Sequence, residues 1–377
     1  MIKLLTIVGA RPQIIKAAAL SRAISIFFSN EIMEIIVHTG QHYDSNMSQI
    51  FFDELNIPIP NYNLNVGSGT HGQQTAIMIE GLEKLMISEK PDFVVVYGDT
   101  NSTLAASIAA SKIHIPVVHI EAGLRSFNKK MPEEINRIMS DHSSTLLFTP
   151  THQGYLNLVK EGFRVVDGPY SIDNPGIFHC GDVMLDNSLY FKDLIKNNSS
   201  LFNDLKIYNE NFILATVHRA ENTDNPVRLE SILIAFLEIV SISNVQLVFP
   251  IHPRTFKKLE SINPLVLERV KANSRIKLIE PVSFLEMIEL ESCCSMVITD
   301  SGGVQKEAYF FKKPCLILRE ETEWVEIVET GSSILVGANR LKILEAYFEI
   351  KNGSFDYPEI FGDGRSAEFI CKKILEN

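Results

Sequence analysis

Met296-Val297-Ile298-Thr299-Asp300-Ser301-Gly302-Gly303-Val304-Gln305-Lys306-Glu307 runs from a compact apolar stretch, through a Ser-Gly-Gly turn, into a helix-like segment that continues to Phe311. The first four residues read as a buried strand of a parallel sheet. The turn leaves bare backbone N–H groups at a helix start, pointing outward from the strand end. Such a terminus suits a phosphate or a diphosphate. One helical turn further in stands a carboxylate, Glu307. A carboxylate repels phosphate but accepts hydrogen bonds from a ribose diol. Ser301, Gly302, Gly303 and Glu307 therefore read together as a grip for a nucleoside diphosphate. A strand-to-helix turn needed only for tight packing would use the same glycines.

The same alternation extends over most of the chain. Leu4–Val8, Glu34–His38, Phe93–Tyr97, Val117–Ile120 and Leu146–Phe148 read as strands, with amphipathic helical patterns between them. The pattern restarts with Phe212–Thr216, Gln246–Pro250, Ile276–Ile279, Met296–Thr299 and Cys315–Leu318. This order implies α/β architecture with two doubly wound, Rossmann-like parallel sheets. The Gly- and Pro-containing segment Asp167–Pro175 reads as a linker. The expected division is an N-terminal domain over 1–170, a nucleotide-binding domain over 171–363, and a final helix over 364–377 that rejoins the first domain.

A chain of 377 residues with 45% apolar and 21% charged residues fits two ordinary globular domains. The net charge of -11, without a long basic block, argues against nucleic acid as the main partner. Five cysteines without a C-x-x-C pair fit reduced core thiols and a cytoplasmic location. No apolar run approaches the roughly 20 residues of a membrane helix, so no membrane partner is expected. Metal-ligand spacings, a nucleophile elbow and a Walker-type phosphate loop are all missing from the sequence, and no cofactor is expected.

Ligands of open parallel sheets sit beyond the carboxyl ends of the strands. Six polar motifs fall there: Gly9-Ala10-Arg11-Pro12, Gly98-Asp99-Thr100-Asn101, Glu121-Ala122-Gly123-Leu124-Arg125, His218-Arg219-Ala220-Glu221-Asn222, His252-Pro253-Arg254 and Asp300-Ser301-Gly302-Gly303. Two facing domains lining one cleft are the simplest arrangement that uses them all. The first domain supplies Asp99, Glu121, Glu133 and Glu134 together with Arg11, Lys16, Arg125 and Arg137. Several carboxylates at strand ends suit proton transfer. Each alone has a structural use as well, such as helix capping by Asp99. The second domain supplies His218, Arg219 and His252, which suit negative charge on a leaving group.

These motifs, with Gly40-Gln41-His42 and Pro132-Glu133-Glu134-Ile135-Asn136-Arg137, resemble the non-hydrolysing UDP-N-acetylglucosamine 2-epimerases from the first strand to about Val336. The resemblance implies a GT-B architecture and a homodimer. It also implies removal of the C2 proton, elimination of UDP from C1, re-addition of UDP, and proton delivery to the opposite face. On this matching Asp99, Glu121 and Glu134 handle protons, while Arg11, Lys16 and His218 act on the leaving diphosphate. Ser301 and Gly302 hold phosphate, and Glu307 holds the uridine ribose. Arg137, Arg219, His252 and Gly303 complete the binding set.

The departures from the family pattern point to a branch. Gln13 and Lys306 stand where the family has an acid, and Trp324 stands where it has arginine. The set resembles the branch acting on UDP-2,3-diacetamido-2,3-dideoxy-D-glucuronate, which serves O-antigen, lipopolysaccharide or capsule synthesis. The lost acids would ease binding of a sugar that carries a carboxylate. UDP-N-acetylglucosamine, converted to UDP-N-acetylmannosamine, is the alternative substrate. A GT-B glycosyltransferase or a hydrolysing epimerase is the second alternative.

Overall fold

The computed structural model describes residues 1–40, 58–195, 201–207, 212–251, 253–259, 261–351 and 353–377. They form two compact units, Met1–Asn187 with Glu359–Asn377, and Ser188–Pro358. In the first unit, β1 (Ile2–Val8), β2 (Ile32–His38), β3 (Tyr62–Asn63), β4 (Phe93–Tyr97), β5 (Val117–Ile120), β6 (Leu146–Thr149) and β7 (Gly176–His179) make one sheet. Their order is β3-β2-β1-β4-β5-β6-β7 and every pairing is parallel. The run Phe93-Val94-Val95-Val96-Tyr97 is buried at every position, as a central parallel strand covered on both faces requires. On one face lies the helix Asn101–Lys112, whose Ala105, Ala106, Ala109 and Ala110 allow close approach to the sheet. The helix His71–Glu89 packs against it with Met78, Leu82 and Met86, spaced by one helical turn. Each such side chain contributes roughly 1.5–3 kcal/mol of burial.

The second unit contains β8 (Phe212–Thr216), β9 (Gln246–Pro250), β10 (Ile276–Ile279), β11 (Met296–Thr299), β12 (Cys315–Ile317) and β13 (Ser333–Leu335). Their order is β10-β9-β8-β11-β12-β13, again parallel throughout. The helix Pro226–Ser243 supplies Leu229, Ile232, Leu233 and Phe236 to the core, with Phe236 edge-on to Phe249. All ten strands read from sequence are present. The structure adds β3, β7 and β13, which are edge strands of two, four and three residues. As edge strands they lack the continuous apolar run by which central strands of the same length are read: β3 is Tyr62-Asn63, and β7 runs from Gly176 to His179. The stretch Asp167–Pro175 leads into β7, and the chain passes to the second unit after Asn187. Among the described residues no helix is long and apolar enough to cross a membrane.

The helix Ser366–Glu376 packs on the helix Arg11–Ala23 of the first unit. Its opening N–H groups, at Ser366 and Ala367, donate to the Asp186 carboxylate at 3.1 and 2.8 Å. Burial raises the Asp186 carboxyl from 3.8 to about 6, although these two donors oppose the rise. A raised carboxyl binds its proton more tightly in the folded chain, so its stabilising contribution fades as pH climbs from 3.8 to about 6. Asp186→Asn should remove this limb. Across that window the melting temperature of the wild type should fall relative to the variant; parallel curves would show that Asp186 does not titrate with folding.

Candidate active site

Each sheet reverses its winding at one place, between β1 and β4 in the first unit and between β8 and β11 in the second. Adjacent loops diverge at such a point and leave room for a ligand. Gln13 closes the first reversal from beneath and is only 1% exposed. Its Oε1 accepts from the N–H groups of Gly9 and Ala10 at 2.9 and 3.3 Å. Its Nε2 donates to the Tyr97 carbonyl and to Thr103 Oγ1, both at 2.9 Å. One amide thus joins the ends of β1 and β4. The absence of an acid at position 13 was expected to ease repulsion of an anionic sugar. The side chain instead faces inward, where a charged carboxylate would meet the Tyr97 carbonyl.

Above this bridge, Lys16 Nζ lies 2.6 Å from Glu121 Oε2. Gly98 makes room for the pair, since a Cβ there would stand 3.2 Å from Lys16 Nζ and 3.6 Å from Glu121 Oε1. Glu121 itself has φ +71°, in the left-handed region that residues bearing a Cβ seldom adopt. Such a residue costs about 1–3 kcal/mol and persists where its surroundings fix it. Here the N–H groups of Glu121 and Ala122 both donate to the Phe148 carbonyl, at 3.1 and 3.0 Å.

Arg137 joins the other two carboxylates. It donates to Asp99 Oδ2 in a short contact and to Glu134 Oε2 at 3.3 Å. Burial works against the Arg137 charge, but Asp99, Glu121 and Glu134 outweigh it and hold the guanidinium charged. Glu134 also accepts from Ser126 N–H, Ser126 Oγ and Phe127 N–H at 2.8, 2.9 and 2.9 Å. Burial would raise its carboxyl; these donors and Arg137 hold it below the ordinary value. Its oxygens are therefore the most heavily committed of the three. Arg11 opens the helix Arg11–Ala23 at an exposed position.

A buried network supports these groups. His119 lies between Asp141 Oδ1 at 2.7 Å and the Gly98 carbonyl at 2.8 Å, so each ring nitrogen faces an acceptor. Burial would raise the Asp141 carboxyl, but His119 and Arg125 hold it down. Arg125, 2.7 Å from Asp141, also bonds Glu161 through two nitrogens at 2.7 Å. Arg125 is thus part of the support and not of the exposed set. Asn136 donates to the Asp99 carbonyl at 2.9 Å. Asp141 was not anticipated; its one sequence signal is its place a helical turn beyond Arg137.

In the second unit Asp300 closes the reversal. It is fully buried and accepts from His218 N–H, Arg219 N–H and Asn222 Nδ2 at 3.0, 3.1 and 3.1 Å. The His218 ring is half exposed, with Nδ1 3.5 Å from Asp300 Oδ1. Ser301 caps the helix Gly302–Phe310. The first N–H groups of a helix have no acceptor within it, which leaves the Gly302 and Gly303 amides for a ligand. The Glu307 carboxylate returns to the same side: Oε2 and Ser301 Oγ each lie 3.9 Å from the position of a Gly303 Cβ. A Cβ on Gly302 would stand 2.5 Å from Glu323 Oε1. Burial would raise the Glu323 carboxyl, while Arg319, at 2.8 Å, and Arg219 hold it down. Trp324 Nε1 donates to the Gly302 carbonyl at 3.0 Å. Lys306 Nζ lies 4.3 Å from the centre of the Trp324 ring, so two of the departures from the family pattern form one cation–π pair. His252, like Gln41 and His42, lies outside the described residues.

Two doubly wound parallel sheets, each with polar groups gathered at its reversal, define a Rossmann-like enzyme of the GT-B class. The family profile described as UDP-N-acetylglucosamine 2-epimerase matches residues 27–375. A UDP-N-acetylglucosamine 2-epimerase homolog of Methanococcus maripaludis is 52% identical over 100% of this chain and 99% of its own. The UDP-2,3-diacetamido-2,3-dideoxy-D-glucuronate 2-epimerase of Pseudomonas aeruginosa is 48% identical over 99% of both chains. The Methanocaldococcus jannaschii UDP-GlcNAc 2-epimerase, solved in complex with UDP-GlcNAc and UDP, is 43% identical, with a TM-score of 0.85 over 100% of both chains. The chain belongs to the UDP-N-acetylglucosamine 2-epimerase family and is an isomerase, a non-hydrolysing UDP-sugar 2-epimerase.

The Gln13 bridge can be tested by charge. Gln13→Glu should fold with the new carboxyl protonated and lose stability, relative to the wild type, as rising pH ionises it. The cost of the buried, mispaired group should reach roughly 1–3 kcal/mol. Urea unfolding at mildly acidic and mildly alkaline pH measures it, and a constant difference between the two proteins would refute the bridge.

Proposed function

We propose that the chain converts UDP-2,3-diacetamido-2,3-dideoxy-D-glucuronate to its mannuronate epimer for surface polysaccharide synthesis, working as a cytoplasmic homodimer. In the second unit, Ser301, Gly302 and Gly303 would hold the diphosphate and Glu307 the ribose. Arg219 and His252 belong to the same binding set. In the first unit, Asp99 and Glu121 would handle the C2 proton. Glu134, with its oxygens already committed, would hold Arg137 in place. Arg11, Lys16 and His218 would stabilise the leaving diphosphate.

The observation that carries the chemistry is the pairing of carboxylates with cations at one reversal: Lys16 with Glu121, and Arg137 with Asp99. A cation beside a carboxylate lowers its affinity for a proton. A diphosphate that draws off such a cation frees the carboxylate to act as a base. The base takes the C2 proton, and the electron pair forms the C1=C2 double bond as the C1–O bond to UDP breaks. UDP then returns to C1 while a proton reaches the other face of C2. No water is consumed. In heavy water the product should therefore gain deuterium at C2 without a stoichiometric release of free sugar. Proton NMR follows both, and inversion with the original proton fully retained would exclude this route.

The observation favouring the diacetamido-glucuronate is the Lys306–Trp324 pair. The family pattern places an acid and an arginine at these positions, a neutral sum; this chain places a lysine and an uncharged ring there, a sum of one positive charge. The added charge favours an anionic sugar. Trp324 is 3% exposed and braces the Gly302 carbonyl, so it acts through the turn. The expected kcat/KM for the diacetamido-glucuronate exceeds that for UDP-N-acetylglucosamine by roughly tenfold or more, about 1.4 kcal/mol of discrimination. Lys306→Glu combined with Trp324→Arg should narrow that ratio. Equal or faster turnover of UDP-N-acetylglucosamine would move the substrate to the alternative and leave the epimerase chemistry in place.

A further inference from the structure

Glu291 is a carboxyl group in the core of the second unit that the reaction does not use. It lies on the helix Phe284–Cys293 and is fully buried. Neither of its oxygens meets a donor among the described residues. The side chain it meets is a second carboxyl group, Glu307. Glu307 belongs to the helix Gly302–Phe310, which packs against the helix of Glu291. Two carboxyl groups in contact share a proton, because both cannot ionise side by side. Glu291 is completely buried and Glu307 only partly, so the proton resides on Glu291. Burial first, and the Glu307 charge second, push the Glu291 carboxyl well above the usual range. The remaining titratable groups around it are the thiols of Cys294 and Cys315, both pushed up by burial, the first to about 12. Lys313 acts on Cys294, and Glu286, on the same helix as Glu291, is turned to the Ser283 N–H.

We infer that Glu291 is a positioning residue for nucleotide binding: its carboxylic acid donates a hydrogen bond to Glu307 and fixes the Glu307 carboxylate with lone pairs toward the ribose diol. The inference rests on the reading of Glu307 as the ribose ligand. A lone glutamate in the second turn of a helix has several rotamers, and ordering one of them costs entropy on binding. A donor behind it removes that cost. It also makes the grip depend on a proton. Loss of the Glu291 proton would set two negative carboxylates against each other and displace the one that the ribose needs.

UDP binding to the whole protein, measured by calorimetry from neutral to alkaline pH, tests this with three variants. In Glu291→Gln an amide donor replaces the acid; UDP affinity at neutral pH should stay within about twofold of the wild type, and its alkaline decline should be shallower. The alkaline titration of the uracil ring is common to both proteins and cancels in the comparison. In Glu291→Leu the donor is lost without a buried charge; UDP affinity should fall roughly five- to tenfold at neutral pH, equivalent to about one hydrogen bond. Melting curves establish that each variant is folded. Wild-type affinity in Glu291→Leu, or an alkaline decline in Glu291→Gln identical to the wild type, overturns the inference. Glu307→Ala separates the two readings. If that variant binds UDP as the wild type does, the ribose role of Glu307 fails; if it binds weakly while the Glu291 variants are unaffected, only the positioning role fails.

Discussion

The arrangement of polar groups in each unit depends on closing the gap that a doubly wound sheet leaves at its reversal. Adjacent strands there send their loops in opposite directions, and backbone groups at the strand ends lose their ladder partners. In the first unit Gln13 fills the gap with a neutral amide that both accepts and donates. In the second unit Asp300 fills it with a carboxylate that only accepts, from His218 N–H, Arg219 N–H and Asn222. The difference follows from what each gap presents. A carbonyl, that of Tyr97, points into the first and requires a donor. The second presents N–H groups, so a side chain that accepts hydrogen bonds suffices there. The choice of residue at each reversal then sets where the functional side chains next to it can point.

The charges of the first unit are ordered in the same way, by pairing. Glu121 has Lys16, Asp99 has Arg137, and Asp141 has His119 and Arg125. A buried pair gives little net stability, since removing two ions from water costs about as much as their attraction returns. Pairs near a ligand have another consequence. They keep ionised groups concentrated at one place, and an incoming anion can exchange partners with them. The strained φ of Glu121 belongs to this arrangement, because it sets the start of that side chain beside Gly98 and Lys16.

The strands and the motif positions were legible because central parallel strands are continuous apolar runs and because function collects at their carboxyl ends. Phe93–Tyr97 and Met296–Thr299 have the same bounds in the sequence and in the structure. The edge strands β3, β7 and β13 were not legible, being short and half solvated. Among the candidate residues, sequence order singled out Asp99, Glu121, Glu134 and the Ser301 turn without giving their partners. The division between Glu134, already saturated by Ser126 and Phe127, and the other two carboxylates arises from the fold of the loop before its helix. Gln13 shows the limit most plainly. Its polarity suggested a role toward solvent or substrate, while its hydrogen bonds all turn inward, a fact set by packing between residues 84 and 90 positions apart.

The nine residues of Gly302–Phe310 concentrate the remaining physics. The helix start attracts anions, yet Glu307 stands within its second turn and would repel a phosphate placed too far inward. On the proposed reading the same residue would accept from hydroxyl donors, so a ligand with a diphosphate at one end and a diol beside it would be favoured over a phosphate alone. Lys306, buried against the Trp324 ring, lies one helical position from Glu307 and joins the turn through Trp324, whose Nε1 donates to the Gly302 carbonyl. Glu291 supports Glu307 from beneath, within the core. Adjacent residues of one helix thus face different neighbours, because the 3.6-residue period sends positions 306 and 307 about 100° apart.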